Sequence, residues 1–211
     1  MTPFSHMTGI ACPLALQNVD TDQIIPARFM KRSRDEGYGG QLLHDMRFAP
    51  TGLPIADFPL NEPRYAGAQI LVARRNFGSG SSREAAVYAL ADYGIRCVIA
   101  PSFGDIFAAN AVNNGLLPAQ VTEAEAEALL SLLADPASGA VTVDLALQII
   151  TAGGASFDFA IDPVRRMRLL NGWDELDLTL RHQDAIAAFQ RTDIAARPWA
   201  AVLPAPSVTP P

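Results

Sequence analysis

The chain has 211 residues, 49% of them hydrophobic, with a net charge of −6 and an isoelectric point near 5.0. That is enough for one substantial domain with its own core, and too apolar for a disordered chain. The acidic balance argues against a nucleic-acid binder, no apolar run is long enough to span a bilayer, and the N-terminus has no signal-like core, so the expected location is cytoplasmic.

Taken in order, Thr8 to Leu16 is short and apolar and reads as a strand. Asn18 to Gln23 is polar, with Asp20 and Asp22 two apart; this is a solvated turn or an active-site loop, and spacing does not decide between them. Lys31 to Gly40 is charged and then glycine-rich, which predicts a mobile surface loop. Recurring prolines between Phe48 and Pro63 predict an irregular stretch. The clearest unit follows: an apolar strand over 68–73, a glycine loop, a helix closed by Gly94 and an apolar strand over 95–100. Both runs are continuously apolar, as strands of a parallel sheet buried on two faces should be.

A helix is expected from Ser102, with Asp105 completing a weak capping box and Gly115 closing it, and a short strand begins at Leu116-Leu117. Thr122 and Glu125 form a capping box for the next helix, which ends before Asp135-Pro136. Val141 to Ile150 and Ala155 to Ala160 read as two strands joined through Gly153-Gly154. Asp162-Pro163 opens a helix that Gly172 closes, and Leu180 to Arg191 is a last amphipathic segment. The domain boundaries expected are one α/β domain over 1–197, with C-terminal helices from about 163, and a disordered proline-rich tail over 198–211.

Two cysteines, Cys12 and Cys97, cannot by themselves complete a tetrahedral zinc site or an iron–sulfur cluster. Cys97 lies within an apolar run and reads as a buried hydrophobe. His6, His44 and His182 are scattered, without ligand spacing, so no metal site is expected in this chain.

Asn76-Phe77-Gly78-Ser79-Gly80-Ser81-Ser82-Arg83-Glu84 carries the chemistry. A strand, a glycine-rich turn and a helix aim backbone N–H groups and a positive helix end at an anion. Arg83 can grip a carboxylate through two parallel hydrogen bonds. The alternative is structural: Ser81 and Glu84 fit a capping box. That box alone explains neither the paired glycines nor Arg83. A phosphate loop would need Gly-Lys-Ser/Thr, yet Lys31 is the only lysine; a dinucleotide fingerprint would need a third glycine where Arg83 stands.

Several blocks together resemble a known family. Asn18-Val19-Asp20-Thr21-Asp22-Gln23-Ile24-Ile25-Pro26-Ala27-Arg28-Phe29 is similar to the N-terminal signature of bacterial 3-isopropylmalate dehydratase small subunits. Gly80 to Glu84 resembles the swivel-domain signature of the wider aconitase superfamily. Ala100 to Phe107, Asn114 to Pro118 and Leu169 to Asp174 resemble the blocks that follow, so the likeness runs from about 8 to 190.

The resemblance implies an aconitase-type swivelling α/β domain, a β-barrel-like mixed sheet flanked by helices, with a helical C-terminal extension. It implies a large-subunit partner that carries a [4Fe–4S] cluster on its own cysteines, with no cofactor bound by this chain. The reaction implied is interconversion of 2- and 3-isopropylmalate by dehydration and rehydration in leucine biosynthesis, on a small dicarboxylate hydroxy acid. By the match Ser81 is the catalytic base; Ser82 and Arg83 hold substrate carboxylates; Asp22 aligns with an active-site aspartate; Asp20 and Thr21 shape its loop; and Gly80 belongs to the substrate-binding turn. The family usually has cysteine where Ser79 stands and histidine where Ala85 stands. These departures leave open a related hydro-lyase acting on another alkylmalate or hydroxy acid, or a non-catalytic paralogue.

Overall fold

The structure, a computed structural model, describes residues 1–31, 33–135 and 140–200. They fall into two compact units, Met1–Trp173 and a second from Asp174 onward. In the first unit the α/β architecture expected from the sequence holds, with its strands shared between two four-stranded sheets.

The first sheet is parallel throughout, in the order β2 (Ala11–Leu14), β3 (Ile70–Ala73), β4 (Cys97–Ala100) and β5 (Leu117–Gln120). Its side chains sort by the two-residue period of a strand. Cys12, Leu14, Leu71, Ala73, Val98 and Ala100 enter one core, and Ala11, Ile70, Val72, Cys97, Ile99, Leu117 and Ala119 enter another. Burial on both faces is why these strands read as unbroken apolar runs.

The second sheet is antiparallel, in the order β1 (His6–Gly9), β6 (Val141–Asp144), β7 (Ile149–Ala152) and β8 (Ala155–Asp158). The single strand expected over Thr8 to Leu16 is thus two, β1 and β2, placed in different sheets on either side of Ile10. A bridge between Gln120 and Ala160 ties the sheets together a second time. The expected strand Val141 to Ile150 is also divided. Asp144 accepts the backbone N–H of Leu147 at 2.8 Å and Gln148 takes a positive φ of 57°, which turns the chain between β6 and β7.

Helices α3 (Glu84–Tyr93), α4 (Asp105–Asn113) and α5 (Glu123–Ala134) link the parallel strands and lead out of β5. Gly94 ends α3 with a φ of 111°, and Thr122 with Glu125 caps α5, both as expected. Helix α6 (Pro163–Asn171) starts at the Asp162 cap and ends at Gly172, again as expected. Helix α4 differs: its N-cap is Gly104, without a side-chain cap, because the Ser102 hydroxyl accepts the N–H of Asn76 at 2.9 Å instead.

Between β2 and β3 lie two four-residue helices, α1 (Thr21–Ile24) and α2 (His44–Arg47), and short 3-10 turns at Ala27–Lys31, Arg34–Glu36, Gly39–Gln41, Pro59–Asn61 and Pro63–Tyr65. The end of the loop expected to be mobile is anchored. The Asp92 carboxylate accepts the N–H of Tyr38 at 2.7 Å, and a Cβ on Gly39 would lie 2.6 Å from the Asp92 carbonyl carbon.

The second unit contains α7 (Glu175–Leu180), α8 (Gln183–Ala196) and a 3-10 turn at Pro198–Ala200, none with a buried residue. Asp174 and Asp177 form a capping box at the start of α7. The tail expected over 198–211 falls, from 201, outside the described residues. Among the described residues no helix is long and apolar enough to cross a membrane.

Candidate active site

Three loops leave the carboxyl ends of β2, β3 and β4, the edge of a parallel sheet where ligands bind. Backbone hydrogen bonds join them side by side. Asn18 donates to the Arg75 carbonyl at 2.9 Å, Gly78 to Val19 at 2.7 Å, and Thr21 to Ser79 at 2.9 Å. On the other flank Phe77 donates to Ser102 at 3.0 Å and Gly104 to Phe77 at 2.9 Å. The parallel pairing therefore runs on past the strands into the loops, through bridges Asp20–Ser79 and Phe77–Phe103.

Left-handed residues make this possible. Asn18 and Asn76 have φ of 55° and 62°, and the Asn76 amide donates to the Asn18 side-chain oxygen at 2.9 Å. Asparagine tolerates this region better than any other side chain of its size. Sequence reasoning gives neither residue a role; the signal was an asparagine a few residues past each buried run. Gly78, with φ of 72°, has no room for a side chain, since a Cβ there would lie 2.2 Å from the Phe107 ring. Gly104 is equally confined, 2.5 Å from the Gly78 carbonyl oxygen.

On this frame the sequence-predicted residues come together from two loops. Asp20 caps α1: its carboxylate accepts the N–H of Gln23 at 2.7 Å, and its own N–H donates to the Gln23 side chain at 2.9 Å. Thr21 is buried, and its hydroxyl donates to the Ser81 carbonyl at 3.0 Å. The N–H of Arg83 donates to the same carbonyl at 2.8 Å. Gly80, with φ of 96°, passes over Asp20 and Thr21. Ser81 and Ser82 are exposed. The Arg83 guanidinium is paired through Nη1 with Oδ1 of Asp22.

The capping-box reading of Ser81 is corrected here. Helix α3 begins at Glu84, its N-cap is Arg83, and no side chain caps it. Glu84 does not reach back to Ser81; its carboxylate accepts the Asn114 amide at 3.0 Å, from beyond the end of α4. The first-turn N–H groups of α3 thus keep the positive end of the helix beside Ser81, Ser82 and Arg83. Such a site can receive an anion and hold it against a serine.

Cys12 and Cys97 do not fit a cluster. Both are buried, on β2 and β4, and they point into opposite cores of the parallel sheet. Burial pushes the Cys12 thiol up to about 12 and that of Cys97 higher still. Among the described residues no group of three or more His, Cys, Asp or Glu is arranged to hold a metal ion.

Comparison with known proteins places the chain in a family. Residues 1–124 match the aconitase C-terminal domain, and residues 177–201 match the C-terminal domain of the 3-isopropylmalate dehydratase small subunit. The chain is 48% identical over 200 residues to the 3-isopropylmalate dehydratase small subunit of Paramagnetospirillum magneticum, covering 94% of this chain and 100% of that one. It is 48% identical over 201 residues to the small subunit of Rhodospirillum centenum, covering 95% and 99%. Among solved structures it resembles 3-isopropylmalate dehydratase from Methanocaldococcus jannaschii, with a TM-score of 0.63 and 27% identity over 87% of this chain and 99% of that one.

Proposed function

The chain belongs to the family of 3-isopropylmalate dehydratase small subunits, and we propose that its zipped loops are the share of the active site that it supplies. It works in leucine biosynthesis, in the interconversion of 2- and 3-isopropylmalate by dehydration and rehydration, as part of an aconitase-family hydro-lyase. A large subunit is its partner, and the [4Fe–4S] cluster that the resemblance implies is assigned to that partner, a reading that two buried cysteines facing apart in this chain support.

One observation carries the assignment of roles. The Ser81 backbone is held from two sides, by Thr21 and by the Arg83 N–H, at the start of a helix that no side chain caps. Ser81 takes the proton from the carbon alpha to a substrate carboxylate. Serine is a weak base, and its oxyanion requires a positive surrounding. The N-terminus of α3 and the Arg83 guanidinium supply it. Arg83 and Ser82 hold a substrate carboxylate; Asp22 lines the same mouth. Asp20, Thr21 and Gly80 set the loop in which these groups sit.

The test is reconstitution. The purified chain alone should turn over no isopropylmalate, and activity should appear on mixing with an anaerobically reconstituted large subunit. Because Ser81 caps nothing, Ser81→Ala should leave the melt and partner binding unchanged while abolishing deuterium exchange into the substrate. Iron-dependent dehydratase activity in the chain alone, or normal exchange by the Ser81→Ala complex, would overturn the proposal.

A further inference from the structure

The Arg83–Asp22 pair joins two side chains whose backbones are already fixed. Arg83 is the N-cap of α3, and its N–H is spent on Ser81. Asp22 lies in the first turn of α1, whose start is locked by the Asp20 capping box and by the Thr21 bonds to Ser79 and Ser81. Most exposed ion pairs lose their Coulomb gain to the entropy of ordering two long side chains. Here one partner is the short side chain of an aspartate on a pinned helix. The other is an arginine whose side chain is only 22% exposed, against 54% for that of Asp22.

The consequence concerns ligand binding. The guanidinium already holds a carboxylate, and that carboxylate is the protein's own. An incoming anion must displace Asp22 or accept a like charge beside it.

We propose that Asp22 is a positioning residue that gates Arg83. Its carboxylate occupies the guanidinium in the chain without substrate, keeps it aimed at the mouth of the glycine loop, and holds down the affinity of the isolated chain for small dicarboxylates. This rests on the reading of Arg83 as the carboxylate ligand. It adds that the ligand is kept internally neutralised, so that a substrate carboxylate takes the place of Asp22.

Malonate is a suitable probe, since it carries two carboxylates and has neither a hydroxyl nor an alkyl group to select a particular substrate. The experiment is a calorimetric or NMR titration of malonate into the isolated full chain, for wild type, Asp22→Asn, Arg83→Gln and the double variant. Asp22→Asn should bind malonate about fivefold or more tighter than wild type. In the Arg83→Gln background the same change should alter affinity by less than about twofold. Equal affinity of wild type and Asp22→Asn, or no binding by either, would overturn the gate. So would an equal gain with and without Arg83, which would mean only that a negative charge had been removed from the surface. Thermal melts of the four proteins confirm that each is folded. The substrate reading fails separately: a reconstituted wild-type complex inactive on isopropylmalate would reject that substrate while leaving the malonate cycle to be read as it stands.

Discussion

Thr21 donates its hydroxyl to the carbonyl of Ser81 across 3.0 Å, between loops that follow different strands. The donor is 3% exposed and the acceptor belongs to the residue proposed as the base. The loop after β2 therefore sets the position of the loop after β3.

Thr21→Val tests this relationship. Valine keeps the shape of threonine and removes only the donor. The fold should lose about 1 kcal/mol, the worth of one hydrogen bond, since the Ser81 carbonyl keeps the Arg83 N–H as its other donor. The activity of the reconstituted complex should fall much further, by about tenfold or more, because a small displacement of a reacting group is costly. Urea melts and steady-state rates read the two effects separately. A loss of stability with unchanged kcat would make the bond structural only.

Arg83→Lys tests the guanidinium. Lysine keeps the charge and loses the planar fork. KM for isopropylmalate should rise by about tenfold, the worth of one charge-assisted hydrogen bond. Arg96→Lys is the control. Arg96 precedes β4, at the amino end of the parallel sheet and so at the edge opposite the loops. Equal effects at both positions would remove Arg83 from the substrate site.

Gly78 and Gly80 separate packing from conformation. Both have positive φ, but a Cβ on Gly78 would meet the Phe107 ring at 2.2 Å, while one on Gly80 would meet only Asp20 and Thr21 atoms at 3.5 Å and beyond. Phe107 has little room to yield, since its buried ring packs edge-on against Phe77 and is stacked with Phe103. Gly78→Ala should therefore destabilise the fold by about 2–4 kcal/mol. Gly80→Ala should cost only about 1 kcal/mol of conformational energy. The urea midpoints of the two variants provide the comparison, and equal shifts would contradict it.

The sequence was most legible where burial or a local cap decides the structure. Ile70–Ala73 and Cys97–Ala100 are buried on both faces, so their apolar runs left no other reading. Gly94, the Thr122–Glu125 box and Asp162-Pro163 act within a few residues of themselves. The candidate site residues were singled out through the glycine loop and the family blocks. Their mutual geometry was not, because it is set by contacts across the fold. Ser102 reads as a cap, yet it serves Asn76, 26 residues earlier in the chain. Glu84 reads as the partner of Ser81, yet it receives Asn114, 30 residues later. A capping box in sequence is an option that a neighbouring loop can withdraw. The turn after Asp144 was hidden for another reason: Leu145-Ala146-Leu147 continues the apolar pattern while Asp144 bends the backbone.

Asp45 gives a prediction in pH. A hydrogen bond from Arg28, then one from His44, holds its carboxyl down at about 2. The unfolded value is about 3.9. A depressed carboxylate stabilises the fold above the unfolded pKa, and that contribution is lost as pH falls from about 4 towards 2. The Asp45 side chain is 53% exposed, so solvent screens the pair and the contribution should stay below about 1 kcal/mol. Carboxyl-carbon NMR should find Asp45 titrating near 2 in the wild type. Arg28→Gln removes the larger cause and should move the titration up towards the ordinary aspartate range, while His44→Ala should move it less. Stability of wild type and Arg28→Gln should differ above pH 4 and converge below about 2, where both carboxyls are protonated. A wild-type Asp45 titrating at the ordinary value and unmoved by Arg28→Gln would show that the Arg28 pair does not form in solution.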